Sequence, residues 1–399
     1  MSKVKAKRLG NLINLKRGYD LPESQRLPGP YPVISSAGIS GFHNEYKVEG
    51  EGVVTGRYGT LGEMYYVDGK YWPHNTALYV TDFKGNYPKY IYYLLSCLGR
   101  IRTSDKSAVP GVNRNELHEM AVPVVDDKCQ QKKIAVVLSA LDGKIKLNNR
   151  INVELEAMAE TLYDYWFVQF DFPGQNGKPY KSSGGKMVYN DTLKREIPEG
   201  WADCELSDVI SRSGTGLNPR DNFKLGSGEN FYVTIKNINN GKIIFDDKCD
   251  RVDDEALNII DRRSQLRPGD ILFTSIEPVG VTYLIHEKPS NWNINESVFT
   301  LRPNYKKITS EYLYMLLSSL EMKAFTKNVS SGSVHKGVRH RVLKTFKLPY
   351  NKPDLISDFS TIIKPILKRI YNLDIENIKL AQLRGWLLPM LMNGQVTVK

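Results

Sequence analysis

Cysteine and histidine are scarce in this 399-residue chain, with four of the first and six of the second. Cys97, Cys129, Cys204 and Cys249 form no Cys-x-x-Cys pair and are widely dispersed, so spacing offers no zinc site. They read as reduced, mostly packed thiols. Long apolar runs are missing as well: none approaches the length of a membrane span, and the opening Met1-Ser2-Lys3-Val4-Lys5-Ala6-Lys7 lacks the apolar centre of a signal peptide. The sequence therefore predicts a cytoplasmic protein with no membrane contact.

Negative charge is the minority. Against 55 Lys and Arg stand 44 Asp and Glu, a net +11, and 23 Tyr add amphipathic contact area. Such a balance favours a polyanionic partner without identifying one. The excess is uneven: Lys323, Lys327, Lys336, Arg339, Arg341, Lys344 and Lys347 follow one another with no carboxylate between the first and the last. In isolation that run reads as a solvated basic face. A second basic stretch, Arg100, Arg102, Lys106 and Arg114, opposed by Asp105, occupies the matching place in an earlier part of the chain. Recurrence favours a phosphate-binding surface.

What is present is written twice. Residues 8–170 and 205–396 share one plan, a mixed strand-and-helix segment followed by a long heptad-patterned helix. Tyr90 to Ser96 matches Tyr312 to Ser318 at an offset of 222, Ser107 to Val112 matches Ser333 to Val338 at 226, and Gly52 to Gly62 matches Asp270 to Gly280 at 218. The offset drifts smoothly, as a few loop insertions would make it. A unit of roughly 200 residues is long enough to bury its own core, so two pseudo-equivalent domains are expected rather than a solenoid.

After Pro123 strand-like alternation gives way to heptads. Ile134, Leu138, Leu141, Ile145, Asn148, Asn152, Leu155, Ala159, Leu162 and Trp166 keep the 4-3 spacing of a coiled-coil seam. Adding 225 to each gives Phe359, Ile363, Ile366, Ile370, Leu373, Asn377, Leu380, Arg384, Leu387 and Leu391. The seam proposed from this pattern centres on Leu141, Ile145, Asn152 and Leu155 in one helix and Ile366, Ile370, Asn377 and Leu380 in the other. An Asn in an apolar seam costs stability but penalises shifted registers. Two such helices are expected to pack on each other, and connectivity makes them antiparallel. At ~1.5 Å per residue, a helix of about 45 residues carries the chain about 67 Å from its first domain. That arrangement sets the domains at opposite ends of a rod, related by an approximate two-fold axis. Pro365 is a local conflict that predicts a bend in the second helix.

Between the copies, Asp171 to Lys186 is rich in turn formers and reads as a connector running to Ile197-Pro198-Glu199-Gly200-Trp201. Connector, entry and two-copy plan together resemble the specificity subunits of Type I restriction-modification systems, across essentially the whole chain. The resemblance implies an α+β fold: two pseudo-repeated mixed α/β target recognition domains, at 1–125 and 198–350, separated by two long antiparallel coiled-coil helices. The helices would occupy 126–170 and 351–399, with 171–197 as connector. It further implies that each domain reads one half of a split, asymmetric site in double-stranded DNA. The helices would dock two methyltransferase subunits, and restriction and translocase subunits would join to cut unmodified DNA.

On that reading DNA contacts belong on loops. Gly56-Arg57-Tyr58-Gly59-Thr60-Leu61-Gly62 follows a strand and corresponds to Thr274-Ser275-Ile276-Glu277-Pro278-Val279-Gly280. Arg57 suits either guanine in the major groove or a phosphate, and Tyr58, Thr60 and Ser275 are further candidates. Neither turn has the Lys-Ser/Thr of a P-loop, which excludes nucleotide binding there. The second loop pair gives Arg102, Lys106, Ser107, Asn113 and Arg114 in one copy. Lys327, Ser333, His335, Lys336, Arg339 and Arg341 are their counterparts in the other.

No catalytic residue, metal or cofactor is expected. An amino-group methyltransferase needs an Asn/Asp-Pro-Pro-aromatic loop, and the nearest string, Leu348-Pro349-Tyr350, has one proline and no preceding amide or acid. Asp246-Asp247 and Asp253-Asp254 sit among turn-like residues and read as solvated surface rather than a nuclease metal site. The competing readings are a coiled-coil scaffold that makes protein contacts alone and a silent variant of such a subunit without an active target.

Overall fold

A computed structural model describes residues 4–57, 63–98, 113–174, 177–239, 241–330, 337–351 and 353–399. The chain divides into two compact units, Met1–Asn148 with Ile375–Lys399, and Asn149–Asp374.

In the first unit the strand Val4–Arg8 pairs antiparallel with Ala121–Val125, so the chain start is tied to the strand that leads into the central helix. A four-stranded antiparallel sheet runs in the order Asn14–Arg17, Ala77–Asp82, Gly52–Gly56, Met64–Val67. Beside it Gly38–His43, Tyr31–Ser35, Lys70–Pro73 and Val48–Glu49 form a second sheet, whose Tyr31–Ser35 and Lys70–Pro73 strands are parallel. Every residue of Gly52–Gly56 is buried, as a central strand covered on both faces requires. The core joins Leu15, Val53, Leu78 and Val80 to Tyr90, Ile91 and Leu94 of the helix Pro88–Ser96. Ile134 and Leu138 near the start of the central helix and Leu391 and Met392 near the end of the chain complete it.

The second unit repeats this topology. Ala202–Glu205 pairs with Lys347–Tyr350, and a sheet runs in the order Ile210–Thr215, Val298–Pro303, Ile271–Thr274, Thr282–Leu284. A smaller sheet again contains one parallel pair, Asn230–Val233 with Trp292–Ile294. Two glycines show how closely the plan is kept. A Cβ on Gly18 would meet the His74 carbonyl oxygen at 2.2 Å, and one on Gly216 would meet the Ile294 carbonyl oxygen at 1.8 Å. Both follow the first strand of the large sheet, where the backbone passes too close for any side chain.

The central helix spans Lys128–Tyr163 and ends in a π-helical turn, Asp164–Val168; the terminal helix spans Pro353–Met392. They are therefore somewhat shorter than the expected 45 residues, and the terminal helix continues through Pro365 without interruption. They pack antiparallel. In the first unit the Asp142 carboxylate takes the Arg384 guanidinium at 2.7 Å and Asn148 reaches Asn377 at 3.0 Å, so forward along one helix is backward along the other. In the second unit Asn152 reaches Asp374 at 2.7 Å while the Tyr163 and Phe359 rings lie 6.2 Å apart. Asn152 is buried; Leu141, Ile145, Leu155, Ile366, Ile370, Asn377 and Leu380 are half-buried.

The segment read as a connector has structure of its own. Met187–Asn190 and Arg195–Pro198 form a hairpin, and Phe172 stacks between Tyr180 at 4.8 Å and Trp201 at 5.5 Å. Phe167 continues the cluster to Tyr312 at 4.8 Å and Phe359 at 5.0 Å, so the end of the central helix, the hairpin and the domain share one core.

Candidate nucleic-acid interface

In the second unit the two candidate loops meet. Ile276 bridges to Gly337, and the Val338 N–H donates to the Ser275 carbonyl oxygen at 2.8 Å. The contact clamps the turn after Ile271–Thr274 to the middle of the basic stretch. Ser275 itself faces inward: its hydroxyl donates to the Ser297 carbonyl oxygen at 2.7 Å and the residue is buried. Beyond the clamp, Arg339 precedes the short helix His340–Leu343, and both Arg339 and Arg341 are exposed. His340 between them is turned the other way, edge-on to the Phe299 ring at 4.9 Å. Burial, with a smaller contribution from the Lys344 charge, lowers its pKa, which keeps it neutral and structural. Lys327 lies exposed in the last turn of Leu320–Val329.

In the first unit Arg57 leaves the buried strand Gly52–Gly56 with its N–H bonded to the Thr76 carbonyl oxygen at 2.9 Å. Asn113 caps the helix Arg114–Glu119, accepting the Asn115 N–H at 2.9 Å, and Arg114 is exposed with its guanidinium on Asn115. Capping occupies one face of Asn113 and leaves Arg114 as the charge presented there. Tyr58, Thr60, Arg102, Lys106, Ser107, Ser333, His335 and Lys336 lie outside the described residues.

Other cation–aromatic pairs escaped the sequence reading. The Lys47 ammonium sits 4.6 Å from the Trp72 ring centre and Lys70 4.6 Å from that of Tyr46, and Phe42 and Ile39 on the edge strand of the same sheet are exposed. In the second unit Arg251 lies 3.7 Å over Phe231, and Arg263 reaches the Thr215 hydroxyl at 3.2 Å. Only the tyrosine count hinted at them, since the partners are distant in sequence. Such pairs hold a cation in place while leaving it available to phosphate.

Among the described residues no group of three or more His, Cys, Asp or Glu is placed to hold a metal, and no helix is long and apolar enough to cross a membrane. Asp253 is a helix cap, accepting the Ala256 N–H at 2.8 Å. The four cysteines are free thiols. Burial pushes Cys204 up to about 12 and Cys249 up to about 11, so neither is a nucleophile near neutral pH.

The profile of the Type I restriction modification DNA specificity domain matches residues 1–157 and again 198–384. The chain belongs to that family. Among specificity subunits, that of the Type I restriction enzyme MjaIX from Methanocaldococcus jannaschii is 24% identical over 322 residues, 78% of this chain and 69% of the relative. That of the HindI enzyme from Haemophilus influenzae is 22% identical over 344 residues, covering 74% and 73%. The crystal structure of the S subunit from M. genitalium has the same fold, with a TM-score of 0.63 at 16% identity over 98% of this chain and 96% of that one. Both copies of the specificity domain thus coincide with the repeat, and DNA-target recognition is the family's task.

Proposed function

We propose that this chain is the non-catalytic, DNA-reading subunit of a cytoplasmic Type I restriction-modification complex. Each recognition domain, 1–125 and 198–350, reads one half of a split asymmetric site, and the helices fix the gap between the halves. The observation that carries the reading is the double occurrence of the specificity domain on two units whose large four-stranded sheets share one strand order and whose loops differ. Arg57 follows the strand in one, where an inward Ser275 follows it in the other. One scaffold with unlike loops is what two readers of unlike sequences require.

The helices serve two further roles in this proposal. Their inner faces bind each other. Their outer faces carry apolar side chains in water, including Leu147, Met158, Ile378, Leu383 and Trp386, which is unusual for a solvated helix and suits docking of two methyltransferase subunits. Restriction and translocase subunits complete the assembly. Methyl transfer and cleavage then belong to those partners, and the contribution of this chain is address.

Co-expression with a Type I methyltransferase subunit in a host lacking methylation, followed by mapping of modified adenines, tests this. The expected result is a split motif with a constant gap, whose halves change separately when one domain is exchanged. Lengthening both helices by one heptad should change the gap and leave the halves alone. Modification without a split motif would overturn the proposal.

A further inference from the structure

Two carboxylates on the long helices each tie three elements together. In the first unit Asp142, on the central helix, accepts the Tyr93 hydroxyl from Pro88–Ser96 at 2.6 Å on one oxygen and the Arg384 guanidinium of the terminal helix at 2.7 Å on the other. In the second unit Asp374, on the terminal helix, accepts the Lys242 ammonium from the strand Lys242–Ile243 at 2.6 Å and the Asn152 amide of the central helix at 2.7 Å. Each joint has one arm to the domain and one to the opposite helix.

These joints are not copies of each other. The repeat partner of Asp142 is Leu367, that of Asp374 is Asn149, and the domain arms come from a helix in one unit and a hairpin in the other. The same connection has been assembled from different parts, which argues for a shared task rather than inheritance from the duplication. Other polar contacts tie a domain to one helix alone, as Gln131 does to Asn86 at 2.9 Å in the first unit and Ser360 to Thr309 at 2.5 Å in the second. A carboxylate bonded to the domain and to the opposite helix at once holds the domain against the pair, and its directional bonds resist the small tilts that apolar contacts permit. Side-chain exposure of 17% at Asp374 and 27% at Asp142 leaves both bonds partly shielded from water.

We propose that Asp142 and Asp374 are positioning residues that fix the angle between each recognition domain and the helix pair, and so set the number of base pairs between half-sites. This rests on the split-site reading above. A domain about 30 Å across need tilt by only about 6° to carry its far rim ~3.4 Å, the rise of one base pair. Without the joint, gaps one base pair longer or shorter come within reach while the base-reading loops are untouched.

The test is genome-wide adenine mapping with the methyltransferase complex of Tyr93→Phe, Lys242→Ala and the two combined, each removing a domain arm and leaving the helix-to-helix arm in place. Sites with the gap altered by one base pair should rise at least ten-fold over wild type, with both half-site sequences unchanged. Lys144→Ala, which removes a helix-to-helix ion pair to Glu376 and no domain arm, should leave the gap distribution alone. A wild-type gap distribution in the domain-arm variants, whatever their total modification, overturns the inference, as does equal broadening in Lys144→Ala. Absence of any split motif in the wild type is a different failure, that of the parent reading, and the inference falls with it.

Discussion

The Asn148 side-chain amide donates to the Asn377 carbonyl oxygen at 3.0 Å and to Glu376 at 2.9 Å, with Asn148 wholly buried between the helices. A polar pair here serves alignment more than stability. Asn148→Ala leaves two acceptors without their donor and should cost about 1–3 kcal/mol by urea unfolding. The double variant Asn148→Leu with Asn377→Leu should be no less stable than wild type. If it is as weak as the single variant, the pair stabilises the helices outright.

Arg302 and Asp270 form a second polar contact, inside the recognition core of the second unit. The guanidinium grips both carboxylate oxygens at 2.7 Å, and only 1% of the Asp270 side chain is exposed. Arg302→Leu should therefore cost about 3–5 kcal/mol, because it strands a buried charge. Asp270→Asn added to it should restore at least half the loss, since an amide oxygen can still accept the Arg267 N–H that Asp270 takes at 2.9 Å. Thermal unfolding followed by near-UV circular dichroism reads both changes.

His286 supplies the pH dependence. Its ring stacks on Tyr371 at 4.3 Å, and burial, aided by the Lys368 charge, pushes its pKa down to about 4. Between the ordinary imidazole value of about 6.5 and the folded value the unfolded chain binds a proton that the folded chain refuses. Stability from this residue is therefore complete above pH 6.5 and declines as pH falls toward 4. After allowing for partial exposure the loss is roughly 1–2 kcal/mol. His286→Phe keeps the stacking and removes the proton site, so the difference between it and wild type should shrink or reverse in its favour from pH 7 to pH 4.5. Parallel curves would contradict a neutral buried imidazole.

Much of this was legible in the sequence, and the exceptions have physical causes. The helices were readable because 4-3 spacing of Ile134, Leu138 and their repeat mates depends only on the helical period. The domain arms were not: nothing local marks Lys242 as the partner of Asp374, 132 positions away in the chain. Ser275 has the donor chemistry of a DNA contact, but residue type sets capacity and not direction, and its hydroxyl points to Ser297. Asn113 could have been found as a helix cap, since Glu116 follows three residues later in the capping-box pattern and accepts its amide at 3.2 Å. In 171–197 the apolar residues Phe172, Tyr180 and Ile197 are too irregularly spaced to show a period, although each packs against the core of the second unit.

Exposed Arg341 and half-buried Arg57 are expected to part phosphate binding from base reading. Arg341→Ala should weaken the complex on all DNA sequences alike and lower the slope of log K against log salt by about 1. Arg57→Ala should instead relax one position of one half-site, by about 1–3 kcal/mol. Fluorescence anisotropy of the methyltransferase complex on cognate and single-mismatch duplexes, between 50 and 200 mM salt, distinguishes them. A uniform loss for Arg57→Ala would make it a phosphate clamp.

Trp386 gives the sharpest test of docking. It stands 59% exposed on the terminal helix, three residues after Leu383, which is 42% exposed, so the two share a face. A tryptophan left in water is costly unless a partner covers it, and buried Trp is among the residues that dominate interface energies. Trp386→Ala should weaken binding of a methyltransferase subunit by about 2 kcal/mol or more, close to thirty-fold, as read by calorimetry. Because most of the side chain touches nothing within the chain, unfolding of the isolated protein should move by only about 0.5 kcal/mol. Loss of binding together with loss of stability would point to a packing role, while unchanged binding would place the docking face elsewhere on the helices.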